Sequence, residues 1–232
     1  MKRGLIYFLF GVAFLVNLAG CKQRVSNTAN PSSNATTESS YKEETDTAEA
    51  PTAPIEEAEE FTFLEENLGK SVDEMNALLD DGLSTTEKED VYVDSNGVQY
   101  GFQNDRLTNL KYVYSDVDKG FETVRKVYNY IMASLGDERL DNVLETEKTL
   151  KDILTIEDLR SLPSTSDGAY ACSSNWFYEK DGIDWELPSS DNEIVVRFWE
   201  LDDKRATTVL YVRLYNTELS MSIGFNAVPK KN

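Results

Sequence analysis

The chain has 232 residues, with 23 Lys+Arg against 42 Asp+Glu and a formal net charge of -19. A surface this acidic repels nucleic acid and anionic lipid headgroups, so neither is an expected partner. The sequence holds no histidine, and its cysteines are Cys21 and Cys172. That excludes histidine-activated Ser or Cys nucleophiles, His-ligated zinc and the usual general base near neutral pH.

Met1-Lys2-Arg3 gives the N-terminus a positive charge, and an apolar run from Leu5 to Leu18 follows, broken by Gly11 and Asn17. The run is shorter than the roughly 20 residues that cross a bilayer as a helix. It reads as the apolar region of a signal peptide. Leu18-Ala19-Gly20-Cys21 comes next and resembles the lipobox of bacterial lipoproteins, in which small residues precede the modified Cys. The resemblance implies that residues 1–20 are removed and that Cys21 becomes the diacylglyceryl-bearing first residue. It also implies that the remainder lies outside the cytoplasm, anchored to the membrane by lipid, at an outer membrane where the organism has one. Two or more acyl chains hold a protein stably at a bilayer, whereas one holds it only marginally. With Cys21 acylated, Cys172 has no intrachain partner, and the fold must rest on its hydrophobic core.

Residues 21–60 form the lipidated Cys and a disordered acidic tether in this reading. Asn, Ser, Thr, Ala and Glu dominate, Pro31, Pro51 and Pro54 interrupt, and Tyr41 is the one aromatic. Such a composition cannot bury enough apolar surface to offset chain entropy. Glu43, Glu44, Asp46, Glu49, Glu56, Glu57, Glu59 and Glu60 make its second half self-repelling. A flexible chain of this length spans about 35 Å, which reads as a spacer.

Residues 61–232 read as an extracytoplasmic α+β domain. Ser71-Val72-Asp73-Glu74 fits a capping box, and it predicts a helix with Met75, Leu78 and Leu79 on one face, stopped at Gly82. Val91 and Val93, the Asp94-Ser95-Asn96-Gly97 turn, then Val98, Tyr100 and Phe102 predict a β-hairpin. Asn104-Asp105 turns the chain into a third strand carrying Leu110, Tyr112 and Tyr114. Phe121, Val124, Tyr128, Ile131 and Leu135 recur at helical spacing, with Asp118 as the expected N-cap and Gly136 as the stop. Leu150, Ile153 and Leu154 belong to short helical pieces, and Thr155 caps a turn through Leu159. Pro163 opens a loop.

The C-terminal third is strand-rich. Tyr170 to Tyr178 and Trp185 to Leu187 flank an Asp181-Gly182 turn. Glu193 to Leu201 alternates, Asp202-Asp203-Lys204 turns, and Thr207 to Tyr215 follows with Leu210, Val212 and Leu214 inward. In the last strand Leu219, Met221, Ile223 and Phe225 alternate with Ser220, Ser222 and Gly224, one face buried and one open. The whole predicts helices on one face of antiparallel meander sheet, either as one sheet or as two helix-plus-sheet units. Helix, then Tyr100-Gly101-Phe102, a turn and Leu107 to Tyr112 is a pattern that resembles the small α+β folds of the outer-membrane assembly lipoprotein BamE and the β-lactamase-inhibitor proteins. That resemblance implies a fold and no function.

Constellations that carry chemistry are few. Asp116-Val117-Asp118-Lys119-Gly120 begins like a calcium loop, but the Gly comes one place early and Val127 stands where the closing Glu belongs. A helix start explains it better, and no metal or cofactor is expected. No Ser-x-x-Lys or Gly-x-Ser-x-Gly string occurs. Cys172, inside a predicted strand, reads as a buried structural thiol. Trp199, Tyr211 and Tyr215 fall opposite the Leu210 side, beside Arg197 and Arg213, and would form a binding surface if no helix covers them. The leading reading is therefore a tethered, non-enzymatic binding or scaffolding module acting on an envelope protein. A carbohydrate- or small-ligand-binding lipoprotein is the alternative, and a hydrolase using two carboxylates ranks last.

Overall fold

The structure is a computed structural model whose described residues are 55–139, 148–186 and 206–230. Cys21, Arg197 and Trp199, the expected tether up to residue 54 and the expected strand at 193–201 lie outside them. The described residues belong to one compact unit that begins at Ile55.

The fold is α+β. Helices α1 (Glu59–Asn67) and α2 (Val72–Leu78) precede strands β1 (Ser84–Thr85), β2 (Val91–Val93), β3 (Gln99–Gln103) and β4 (Arg106–Tyr114). Helices α3 (Val117–Leu135) and α4 (Ile156–Arg160) follow, then β5 (Tyr170–Tyr178), β6 (Trp185–Glu186), β7 (Ala206–Tyr215), β8 (Glu218–Phe225) and β9 (Val228–Pro229). Seven strands make a single sheet in the order β1-β2-β3-β4-β8-β7-β5, and β6 pairs with β9 in a small ribbon. Every pairing is antiparallel. Two meanders therefore join edge to edge where β4 meets β8.

Local chemistry explains the turns. Asp94 Oδ1 accepts hydrogen bonds from the Asn96 and Val98 amides, and Gly97 takes a φ of 83° to close the β2–β3 hairpin. Asn104 and Asp105 both adopt positive φ (51° and 59°), as a two-residue hairpin turn requires. The register slips between Gly101 and Phe102, a bulge that the alternation of residues does not announce.

α2 opens with the expected reciprocal capping box, Ser71 to the Glu74 amide and Glu74 back to the Ser71 amide. It ends earlier than the spacing predicts. Leu79 is already its C-cap and Leu78 is 55% exposed, so Met75 alone of the expected trio is buried. α1 was not expected, because it starts on Glu59 and Glu60 within the acidic run. Its Phe61 and Leu64 are buried, and Phe61 packs edge-on against Tyr130 of α3.

α3 buries Phe121, Val124, Tyr128 and Ile131 as the spacing predicts, and Gly136 ends it with a φ of 83°. Its N-cap is Asp116, whose carboxylate accepts from the Lys119 amide, rather than Asp118. The helix lies close on the sheet. A Cβ at Gly120 would stand 2.6 Å from the Tyr114 Cβ, so only glycine fits this crossing. α4 repeats the capping-box device with Thr155 and Asp158.

β5 and β6 flank the Asp181-Gly182 turn but do not pair with each other. β5 pairs with β7, and β6 pairs with β9. Trp185 instead closes an aromatic corner, edge-on to Tyr178 at 6.1 Å and tilted on Phe225 at 5.9 Å.

Candidate functional site

The strand registers sort every residue of the central sheet onto one of two faces. On one face the row Tyr100–Leu110–Ile223–Leu210–Ser174 runs across β3, β4, β8, β7 and β5, followed by Tyr112–Met221–Val212–Cys172 and Tyr114–Leu219–Leu214–Tyr170. This face carries the core. Leu110, Ile223, Leu210, Met221, Val212 and Leu219 are fully buried, and α3 packs over β8, β4 and β5. Burial pushes the Tyr100, Tyr112, Tyr114, Tyr128 and Tyr178 hydroxyls well above the usual tyrosine range. They stay protonated at neutral pH, and the Tyr100 and Tyr178 hydroxyls donate to Asp94 and Glu65.

One buried polar knot lies on this side. Ser174 Oγ donates to Glu138 Oε1 at 2.8 Å and accepts from the Leu150 amide at 3.0 Å. Arg125 Nη1 donates to the Leu150 and Ile153 carbonyls and its guanidinium lies 4.5 Å over the Tyr128 ring. A serine beside a carboxylate invites a nucleophilic reading, but Ser174 is 0% exposed and both its lone pair and its proton are committed. The knot ties the segment around Leu150 to β5.

Among the described residues, the opposite face is half-buried to exposed over most of its width. Its first row is Gly101–Asn109–Gly224–Val209–Asn175, its second Gln99–Lys111–Ser222–Tyr211–Ser173, its third Val113–Ser220–Arg213–Ala171, and Tyr215 and Glu218 close its rim. Apart from Gly224, every residue of these rows is partly or fully exposed. Val113 (44%) and Tyr215 (41%) are among the few large apolar side chains that stand out to solvent. The small residues make the face flat. Asn109 lies along the sheet, donating from Nδ2 to the Ile223 carbonyl at 3.1 Å, and a Cβ at Gly224 would stand 2.6 Å from that nitrogen. At the Thr207 end the face is closed, since Thr207 is buried and Arg139 stacks 3.9 Å over Phe177.

Charge sets this face apart. In a chain with 42 acidic residues, none of the three rows contains an Asp or Glu, and Glu218 stands only at the rim. The rows do contain Lys111 and Arg213. Arg213 pairs with Asp167 from the loop before β5, and its guanidinium lies 5.0 Å from the Tyr215 ring centroid. Lys111 makes no ion pair among the described residues. Burial holds its ammonium below the usual lysine range, the positive charges of Lys88 and Arg213 lower it further, and the Glu218 carboxylate acts in the opposite direction.

Of the residues that the sequence points to, Tyr211, Arg213 and Tyr215 thus come together on the open face. Trp199 and Arg197 lie outside the described residues. Sequence reasoning missed Lys111 and Asn109, whose strand pairs with β8 only through a long-range contact. The alternation of β4 puts Lys111 opposite Leu110, but nothing local tells which strand lies beside it.

A concavity of about 350 Å³ is lined by Gly69, Arg106, Asp184 and Lys230 among others. Its charges are already matched, with Lys230 on Asp184 at 2.9 Å and Arg106 on the Gly69 carbonyl at 2.9 Å. It reads as an ion-paired seam. Among the described residues no group of acids, Cys or His is placed to hold a metal ion, and no helix is long and apolar enough to cross a membrane. In comparisons with known proteins, no family model matches the chain, and no curated protein or solved structure matches it.

Proposed function

We propose that this protein is a lipid-anchored, extracytoplasmic binding module that engages another envelope protein through the open face of its sheet. The anchoring part of the reading rests on the signal-peptide pattern and Cys21 within Leu18-Ala19-Gly20-Cys21. The binding part rests on one observation: a flat sheet face whose rows, among the described residues, hold no carboxylate and carry Lys111, Tyr211 and Arg213, with Tyr215 at the rim, in a chain of net charge -19.

A sheet face left bare for solubility alone would carry its share of the chain's carboxylates. Tyr and Arg are residues that interfaces concentrate, because each combines a large apolar surface with fixed hydrogen-bonding groups. The row of small residues admits a broad, shallow contact, which suits a protein surface better than a small molecule that needs enclosure.

The test is a pair of bulky substitutions. Ser222→Trp fills the centre of the face, and Glu122→Trp adds the same bulk on the exposed side of α3. Capture of crosslinked envelope proteins should lose a specific component with Ser222→Trp and keep it with Glu122→Trp. Equal recovery from both variants contradicts the reading.

A further inference from the structure

The turn between β2 and β3 carries chemistry that the binding reading does not use. We propose that Asn96 is a self-modification site: the Gly97 backbone nitrogen closes onto the Asn96 side chain, and the product loosens the β2–β3 hairpin. The inference stands independently of the proposed function.

Three observations carry it. First, Asn96-Gly97 is the one Asn-Gly pair in the chain. The attacking nitrogen belongs to a residue with no side chain to crowd it, and a Cβ there would meet nothing within 4 Å. Second, Ser95, Asn96 and Gly97 are exposed, and the Asn96 carboxamide makes no hydrogen bond among the described residues. Asn67, Asn76 and Asn109 instead commit their carboxamides to backbone groups, and each is followed by a residue with a side chain. Third, the turn lies at the thin end of the sheet. β2 has three residues, and its outer neighbour β1 has two. The Gly97 amide donates to the Asp94 carbonyl at 3.1 Å, so attack waits on the opening of that bond. Exposed turns next to short strands open locally at little cost.

The step balances with water alone. The Gly97 nitrogen loses its proton to solvent and bonds to Asn96 Cγ. The Cγ–Nδ2 bond breaks, and Nδ2 takes a proton from solvent and leaves as ammonia. A five-membered succinimide remains, and water opens it at one of its two carbonyls. One opening gives aspartate at position 96. The other gives isoaspartate, in which the main chain runs through Cγ.

The isoaspartate product acts on the turn through Asp94. Asp94 Oδ1 accepts from the Asn96 and Val98 amides at 2.9 Å each, and Oδ2 accepts from the Tyr100 hydroxyl at 3.1 Å. Isoaspartate inserts a methylene into the main chain between those two amides, so one carboxylate oxygen no longer reaches both. Aspartate at position 96 adds a charge and keeps the backbone.

The test incubates the full chain, purified in detergent, at neutral and mildly alkaline pH and maps its peptides by mass spectrometry, with electron-transfer fragmentation to locate isoaspartate. Position 96 should convert at least about tenfold faster than Asn67, Asn76 or Asn109. Conversion should quicken with pH, because the attacking nitrogen must lose its proton. Gly97→Asn keeps a residue type that tolerates the φ of 83° and should slow conversion by about the same factor. Asn96→Gln, which leaves residue 97 alone, serves in its place if Gly97→Asn loses its fold. In the isoaspartate product the Val98 amide should exchange with solvent about tenfold faster, whereas Asn96→Asp should leave that exchange unchanged. Position 96 intact in the folded chain but converted in urea overturns the proposal, because the turn then shields the site. So does conversion that is indifferent to these substitutions, or isoaspartate that leaves the Val98 amide exchanging as slowly as before.

Discussion

Asn109 lies across Gly224. Its Nδ2 donates to the Ile223 carbonyl at 3.1 Å over the space where any other residue at 224 would place a Cβ, 2.6 Å from that nitrogen. The pair joins the two meanders at the β4–β8 seam and keeps the open face flat there. Gly224 has no positive φ, so the constraint is one of space alone.

Gly224→Ala should therefore displace Asn109 and lose its hydrogen bond, at a cost of about 1 kcal/mol. Asn109→Ala should cost a similar amount. The double variant should lose less than the sum of the two single losses, because the 2.6 Å contact needs both groups and the same hydrogen bond is lost in each single variant. Urea unfolding of the four proteins measures the coupling, and strict additivity would show that the contact does not matter.

The two faces of the sheet should respond differently to truncation. Trp176 is fully buried, packs at 5.7 Å from Tyr128 and donates from Nε1 to Met132 Sδ. Trp176→Ala should cost about 3–5 kcal/mol. Tyr215→Ala, on the open face at 41% exposure, should stay within about 0.5 kcal/mol. Thermal unfolding separates the two, and comparable losses would mean that the open face is part of the core.

Acid should weaken the helix starts. The hydrogen bonds from the Thr155 side chain and amide hold the Asp158 carboxyl below its usual value of 3.8, and those from Ser71 hold Glu74 below 4.5. A folded pKa that lies below the unfolded one contributes stability fully present above the unfolded value, and this is lost as pH falls through the folded one. Asp158→Asn should thus be less stable than the parent at pH 6, and the difference should shrink steadily below pH 3.8. Denaturant midpoints from pH 6 to 2 test the sign. A difference that grows on acidification contradicts it.

Anchoring is tested on one atom. Palmitate label should enter the parent chain and be absent from Cys21→Ala, which should also accumulate with residues 1–20 still attached. Equal labelling of the two chains would remove the lipid anchor from the account.

Much of the fold was legible because strands with one buried face write a period of two into the chain. Leu219, Met221, Ile223 and Phe225 are all buried, as are Leu210, Val212 and Leu214. Turns were legible where a residue type meets a backbone need, as at Asn104-Asp105 and Gly97. Partners were not. Asp181-Gly182 marks a turn, but the strands on either side pair elsewhere, since a turn signal fixes where the chain bends and not which edge it meets. α1 was hidden because its tertiary contacts, Phe61 on Tyr130 above all, outweigh an acidic composition. The candidate site was half visible. Tyr211, Arg213 and Tyr215 could be put on one face by parity, whereas Lys111 joins them only through the β4–β8–β7 register.

That register makes the central claim directly measurable. A photo-crosslinking amino acid placed at Ser222, in the middle of the open face, and at Glu122, on the solvent side of α3, can be activated in intact cells. The account predicts a discrete adduct from Ser222 that Lys111→Glu with Arg213→Glu removes, and none of that mass from Glu122. The same adduct from both positions, or an adduct from Ser222 that survives the charge reversals, would contradict it.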